Sequence, residues 1–271
     1  MPGKEAERLG RQAVERARAI DPENAEIYGE LAFMAMFVER DFKSAAQYLE
    51  QGLALEPTNL RLISHAALLS LNLGRLADAQ VLYEYITAHD PLCAFCFVQL
   101  GSVYILEGKL ELAERAHETY ELLGGVGDGH LTAALTLLLQ GRHEASMAAW
   151  ARSNPGPFRA YGETITLYSM GRNEEFEARF QAYRDQYGAD YPTMVARVYA
   201  WMGDADAAFE WLGRYHVEQP ELGPIIGNFW EFLSVELNSL HDDPRWQEHL
   251  ARLGIAPKQL AAFEFAVPLP K

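Results

Sequence analysis

Apolar and polar positions along the chain follow a helical period rather than the alternation of a half-buried strand. Five apolar stretches, LLSLNLG, SVYILEG, TLLLQG, TLYSMG and VYAWMG, each end on a glycine. These are Gly74, Gly108, Gly141, Gly171 and Gly203, spaced 34, 33, 30 and 32 residues apart. A polar start and a second amphipathic stretch follow each one. A glycine just past a helix end supplies the left-handed backbone of a tight turn. The pattern predicts helix–glycine–helix units, repeated. Pro22, Pro57, Pro91 and Pro220, in DPEN, EPTN, DPLC and QPEL, are placed to end the second helix of a pair. Proline cannot continue a helix, and an Asp before it can cap the next one. Such units at this spacing read as an all-α helical solenoid.

Residues 94–127 carry Phe97, Leu100, Gly101, Tyr104, Gly108 and Ala113 at the offsets of a 34-residue pattern. Residues 25–58 supply Tyr28, Leu31, Ala32, Ala45, Leu49 and Pro57, with one extra residue in the turn. Residues 60–93 supply Ala66, Ala67, Gly74, Ala79, Tyr83 and Pro91, and residues 189–222 supply Val195, Ala196, Tyr199, Gly203, Ala208, Leu212 and Pro220. Small residues let two antiparallel helices approach closely while a large one fills the gap. This set resembles the tetratricopeptide repeat over roughly residues 4–254. The resemblance implies an α-solenoid of antiparallel helix pairs forming a right-handed superhelix. The expected organisation is a single solenoid over 1–271: a half repeat at 4–22, helix pairs at 25–59, 60–93, 94–126, 127–156, 157–188 and 189–222, and a capping segment at 223–271.

Two units depart from the pattern. In 127–156, Ser146 replaces the usual Ala, Trp150 is the large residue, and the closing loop RSNPGP is short. In 157–188, Phe176 occupies the small position, which predicts a splayed or repacked pair. Residues 4–20 look like a second helix without its partner: either the chain comes from something longer, or the helix is a cap. Leu9, Ala13, Val14, Ala17 and Ile20 would leave part of an apolar stripe exposed, which admits homo-oligomerisation as a second function. The C-terminal stretch, VARVYAWMGDADAAFEWLGRY followed by FLSVELNSLHDDPRWQEHLARLGI, is similar to the endings of bacterial tetratricopeptide regions that follow cyclase, kinase or winged-helix domains. In DDPRW, Asp243 reads as a cap, Pro244 as the first helical residue and Trp246 as a core residue.

Composition narrows the function. Of 271 residues, 49% are hydrophobic and 23% charged, the mix of a globular chain. The net charge of −15 argues against nucleic acid as a partner, since such binders need a basic face. No apolar run reaches the ~18 residues of a membrane helix, and MPGKEAERLGRQ has no apolar signal region. The expectation is a cytoplasmic chain, with neither membrane nor nucleic acid as partner. Residues 203–249 hold ten acids and two Arg, a net −8. That reads either as solubility or as attraction to a basic partner.

No catalytic constellation emerges. Cys93-x-x-Cys96 lacks the second ligand pair of a structural zinc site and opens a helix rather than following a strand. Packing is the simpler reading, although spacing i, i+3 puts both thiols on one helix face and lets them oxidise. GGVGDG at 124–129 lacks the Lys-Ser/Thr of a phosphate loop and reads as an inter-repeat loop. His241-Asp242-Asp243 offers too few ligands for a metal and is better explained by capping. No cofactor or metal is expected, and no enzyme.

The resemblance itself supplies a site. In tetratricopeptide proteins the first helix of each pair lines a concave groove. Carried over residue by residue, the groove positions are Phe33, Met36, Leu68, Asn72, Phe95, Ser102, Ile105, Leu135, Leu138, Phe158, Tyr161, Ile165, Tyr168, Arg197 and Trp201. The Lys/Asn/Arg clamp of chaperone-tail binders is missing, with only Arg61, Asn72 and Arg197 able to contribute. An apolar, aromatic groove suits a peptide or protein with hydrophobic anchors. Tyr161, Tyr168 and Trp201 are the leading anchors, because aromatics dominate binding hot spots, and Arg197 and Asn72 would orient the ligand. Tight packing that buries these side chains is the competing reading. A small-ligand receptor or enzyme in an aromatic pocket over 158–232 is the remaining alternative.

Overall fold

The computed structural model describes residues 2–39, 41–125, 129–218, 234–267 and 269. Pro220 and the aromatic residues of 219–233 lie outside them, as do Val126, Gly127 and Asp128 of the glycine-rich loop. Among the described residues there is no strand. Nor is any helix long and apolar enough to cross a membrane.

The helices run α1 Pro2–Ile20, α2 Ala25–Met34, α3 Phe42–Leu55, α4 Leu60–Asn72, α5 Leu76–His89, α6 Ala94–Leu106, α7 Leu110–Leu122, α8 Gly129–Leu139, α9 His143–Arg152, α10 Pro157–Ser169, α11 Asn173–Tyr187, α12 Pro192–Met202 and α13 Ala205–Glu218. A 3-10 helix, Val235–Leu240, and the helices Pro244–Leu253 and Pro257–Leu260 follow. They divide into two compact units. Unit 1 takes the described residues up to 91 together with those from 253 onward; unit 2 takes 92–218 and 234–252.

The glycine turns are built alike. Gly74, Gly108, Gly141, Gly171 and Gly203 have φ between 69° and 82°. After each, the next amide reaches back to a carbonyl five residues earlier, as in Arg75 N–H to Ser70 O at 2.8 Å and Lys109 N–H to Tyr104 O at 2.8 Å. This closure satisfies the carbonyls orphaned at a helix end, and it needs the left-handed residue that glycine gives without a Cβ penalty. The α2–α3 turn has no such glycine. Its extra residue is absorbed by a π-helical turn, Ala35–Glu39.

Capping after the prolines differs from the expectation. The N-cap positions of α2 and α6 fall after the prolines rather than on Asp21 and Asp90. Asn24 takes the first role, accepting the Glu26 amide at 3.1 Å, and Cys93 Sγ takes the second. Asn59 does the same for α4, accepting from Arg61 and Leu62 at 3.0 and 3.2 Å. Proline spaces the chain so that the second residue after it becomes the cap. Asp243 does cap, with its Oδ1 accepting the Arg245 amide at 2.9 Å, and Trp246 is buried.

Unit 1 packs Leu31, Leu49, Ile63, Leu69, Tyr83 and Ile86 between buried alanines such as Ala32, Ala45, Ala66 and Ala79. Its C-terminal stretch is tied on by the Arg75 guanidinium. That group donates to the carbonyls of Phe265, at 2.6 Å, and Phe263. Phe263 sits edge-on to Phe42 at 6.1 Å.

Unit 2 packs through rings. A Cβ on Gly101 would lie 2.4 Å from the His117 imidazole, and one on Gly162 would lie 2.2 Å from the Trp150 indole, so both close approaches require glycine. Ser146, in place of alanine, donates to Ala134 O at 2.8 Å. Trp150 donates to Thr166 Oγ1 at 3.1 Å. Phe176 is fully buried, stacked on Phe180 at 5.5 Å and edge-on to Tyr168 at 5.1 Å. The α10–α11 pair is thus repacked around aromatic rings.

Candidate functional site

The first-helix residues singled out from the sequence fall into separate groups. Phe33, Met36, Leu68 and Asn72 are in unit 1. Met36 and Leu68 are buried in its core, and Asn72 turns its amide back onto Leu68 O at 2.8 Å. Phe33 is exposed and packs against Phe37 (4.7 Å between centroids) and His65 (5.9 Å). Burial holds the His65 imidazole below the usual histidine range. In unit 2, Phe95 is exposed near the start of α6, Ser102 bonds back to Val98 O at 3.0 Å, and Ile105 is buried.

The other residues meet in one place. Leu138, Tyr161 and Ile165 belong to a single buried cluster with Phe176, Phe180 and Tyr183, and Leu135, Phe158, Tyr168 and Trp201 pack over it, partly exposed. Helices α8, α10 and α12 supply this face because their apolar stripes recur at the same offset in each repeat. Trp201 Nε1 donates to Ser169 Oγ at 2.9 Å, which fixes the indole across α10 and α12. Phe158 lies edge-on to Tyr191 at 6.1 Å.

Tyr161 is not presented as a free anchor. It is 6% exposed, and its hydroxyl donates to Glu236 Oε1 at 2.7 Å, 75 residues further along the chain. Ser234 Oγ donates to the second oxygen of the same carboxylate at 2.5 Å. Ser239 Oγ donates to Ala200 O at 2.9 Å, and Leu237 and Leu240 are buried. The segment Ser234–Leu240 therefore lies on α12 and closes over Tyr161. Burial, and then the Glu236 charge, push the Tyr161 phenol well above its ordinary value. Arg197 is 7% exposed, and its Nε has no hydrogen-bond partner. Its charge acts on the Tyr161 and Tyr183 phenols, opposing that rise. Nearby, the buried Glu163 accepts from Arg159 at 2.8 Å and pairs with Arg179 at 2.8 Å.

Glu236 and Glu163 were invisible as site residues in the sequence. Glu236 stands between apolar residues in FLSVELNSL, which was the available signal: a lone acid in such a run is buried with a partner. Part of the acidic 203–249 segment is also neutralised internally. Arg245 pairs with Asp206 (2.8 Å) and Asp243 (2.7 Å) and lies over the Phe209 ring at 4.4 Å. Cys93 and Cys96 are bonded to each other. Among the described residues no group of three or more His, Cys, Asp or Glu is placed to hold a metal ion.

This arrangement is that of an all-α helical-repeat protein whose first-helix faces carry aromatic side chains. Residues 37–94 match the family model of the tetratricopeptide repeat. No curated protein matches the sequence. Among solved structures the chain is similar to a tetratricopeptide repeat protein from Parabacteroides merdae, with 14% identity, a TM-score of 0.60, and 84% of this chain and 90% of that one covered. It is similar to PilF of Pseudomonas aeruginosa, with 15% identity, a TM-score of 0.54, and 74% and 94% covered. It is also similar to a chain of the APC/C hetero-tetramer Cut9–Hcn1, with 12% identity, a TM-score of 0.54 and 92% of this chain covered, spanning half of that chain's length. At such identities these likenesses carry the fold alone. The family match thus places a tetratricopeptide repeat at residues 37–94, and the solved structures share the all-α helical-repeat fold.

Proposed function

We propose that the chain is a non-enzymatic interaction scaffold that binds a protein or peptide on the first-helix face of unit 2. The observation that carries this reading is the segment Ser234–Leu240. It is a short piece of non-repeat chain, held on α12 by Tyr161, Ala200 and apolar burial. A face that holds such a segment from its own chain has the chemistry to hold one from another. Tyr168 and Trp201, with Phe158 and Leu135, leave apolar surface beside it for anchors. The net charge of −15 favours a partner with basic groups, whose encounter would slow as salt is raised. In this reading the scaffold is a cytoplasmic regulatory region of a bacterial signalling protein, a role suggested by the sequence resemblance of its C-terminal stretch.

Selection of binders from a displayed random peptide library, followed by fluorescence anisotropy, tests the reading. Tyr168→Ala with Trp201→Ala should weaken a selected peptide at least about tenfold, as loss of a hot-spot pair does, while the circular dichroism spectrum is kept. Binders held equally by the double variant, or none selected at all, would overturn it.

A second reading rests on α1. Leu9 is 51% exposed and Ile20 84%, on the stripe that also carries Ala13. In this reading α1 pairs with a second copy. Sedimentation should show a concentration-dependent dimer that Leu9→Glu/Ile20→Glu abolishes; a monomer at millimolar concentration excludes it.

A further inference from the structure

Cys93 and Cys96 carry chemistry that the scaffold reading does not use. Cys93 is the N-cap of α6, and Cys96 lies in its first turn. Their Cα atoms are 5.3 Å apart and their sulfurs are bonded, a separation within the normal range for a disulfide. The two residues are unequally exposed: Cys93 is partly exposed, while Cys96 is 3% exposed. The Cys96 amide donates to Cys93 Sγ at 3.3 Å, and the first turn of α6 contains no acid. A helix start of this kind favours negative charge on sulfur, which eases departure of a thiolate and stabilises the reduced pair. On either side of Cys93 two large apolar side chains stand in solvent, Leu92 at 76% and Phe95 at 55% exposure. Packing alone does not explain these exposed flanks beside a partly exposed cysteine.

We propose that Cys93–Cys96 is a thiol–disulfide exchange site whose substrate is a dithiol on an apolar peptide or protein segment. A substrate thiolate attacks the sulfur of Cys93, the more exposed of the two residues. The Cys93–Cys96 bond breaks, Cys96 leaves as a thiolate, and a substrate–Cys93 disulfide forms. The second substrate thiolate then attacks the substrate sulfur of that bond and expels Cys93 as a thiolate. The substrate becomes a disulfide, and its two electrons leave the chain with two thiols, protonated from solvent. The bonded pair is itself the oxidant, so one equivalent of substrate is oxidised per chain. Leu92 and Phe95 supply the contact that prefers an apolar segment over a small polar thiol.

The test uses the full oxidised chain and two probes, an apolar peptide with two cysteines and dithiothreitol, read by alkylation and intact mass. Both probes should reduce the pair, and the peptide should be released with an internal disulfide. Leu92→Ser with Phe95→Ser should slow the peptide reaction roughly tenfold and leave the dithiothreitol reaction unchanged. Cys96→Ser should accumulate a mixed disulfide with the oxidised peptide at Cys93. Cys93→Ser, which keeps only the buried thiol, should react at least about tenfold more slowly. Thermal melts of each variant verify folding. The proposal falls if oxidised glutathione fails to close the pair in the reduced wild-type chain, or if the two single-cysteine variants react at equal rates. Equal slowing of both probes by the Leu92/Phe95 change would overturn the apolar-substrate assignment.

Discussion

Unit 1 and unit 2 share one repeat plan and fill it differently. Among the described residues, and with tyrosines set aside in both units, the buried polar side chains of unit 1 reduce to Ser70, which bonds back onto its own helix at Ala66 O. Unit 2 buries His117, Thr136, Ser146, Glu163, Thr164, Thr166, Arg197, Ser234, Glu236 and His249. Aliphatic and alanine packing gives stability with little directionality. Buried polar groups are costly unless paired, and their pairing fixes which segment can lie where. The specific face of this protein is therefore expected on unit 2, with unit 1 a plainer scaffold. The two can be followed separately: the described tryptophans, Trp150, Trp201, Trp211 and Trp246, all lie in unit 2, and no described residue of unit 1 is a tryptophan, so their fluorescence follows unit 2.

The hardest blow to unit 2 is Trp150→Ala. It removes a buried indole and leaves Thr166 Oγ1 without its donor. A loss of about 3–5 kcal/mol is expected from urea unfolding, with the tryptophan signal moving first.

Acid should act next, on unit 2 through His117 and on unit 1 through His65, whose imidazole pKa is also lowered by burial. Burial pushes the His117 imidazole down to about 4, because Gly101 and its neighbours seal the ring from water. The folded chain then binds fewer protons than the unfolded one between pH about 6.5 and 4. Stability is full above that window and falls on acidification through it, by about 3 kcal/mol in all. Urea midpoints measured from pH 7.5 to 4 should show this slope, and His117→Phe should flatten it. An unchanged slope would mean that the imidazole is not sealed.

Tyr161→Phe is a smaller change. It removes the donor to Glu236 Oε1, leaving that of Ser234 to Oε2, and should cost about 1–2 kcal/mol, loosening the Ser234–Leu240 segment in hydrogen exchange before the rest of unit 2. The smallest effect belongs to unit 1. Arg61 pairs with Glu26 and Glu30, each at 2.6 Å, at an exposed position. Arg61→Ala should cost under about 1 kcal/mol, and less in high salt. A larger loss there than at Tyr161 would break the contrast between the units.

Much of the fold could be read along the chain. The five glycines recur where a left-handed residue must close a turn, and local backbone sterics decide that without reference to distant residues. The small positions, such as Gly101 and Ala208, were equally legible, because close helix approach has a composition. The candidate site was legible only in part. The repeat register pointed to Leu135, Phe158, Tyr161, Tyr168 and Trp201 as one row. It did not say that Tyr161 lies under Glu236. That contact joins residues 75 apart and depends on how the chain returns after α13, which no local periodicity encodes. Capping showed the same limit: Asp243 was readable, while Asn24 and Cys93 displaced the acids beside proline, because the loop geometry decides which side chain reaches the free amides.

The sequence by itself determined the helices, their turns and the repeat that pairs them, since each depends on residues within a few positions of one another. The tertiary structure alone decided which aromatic side chains are buried and which remain available, that Glu163 and Glu236 are buried beside their partners, and that Cys93 is partly exposed where Cys96 is buried. Burial and pairing are properties of surfaces brought together from distant parts of the chain, and they exist only once those surfaces have met.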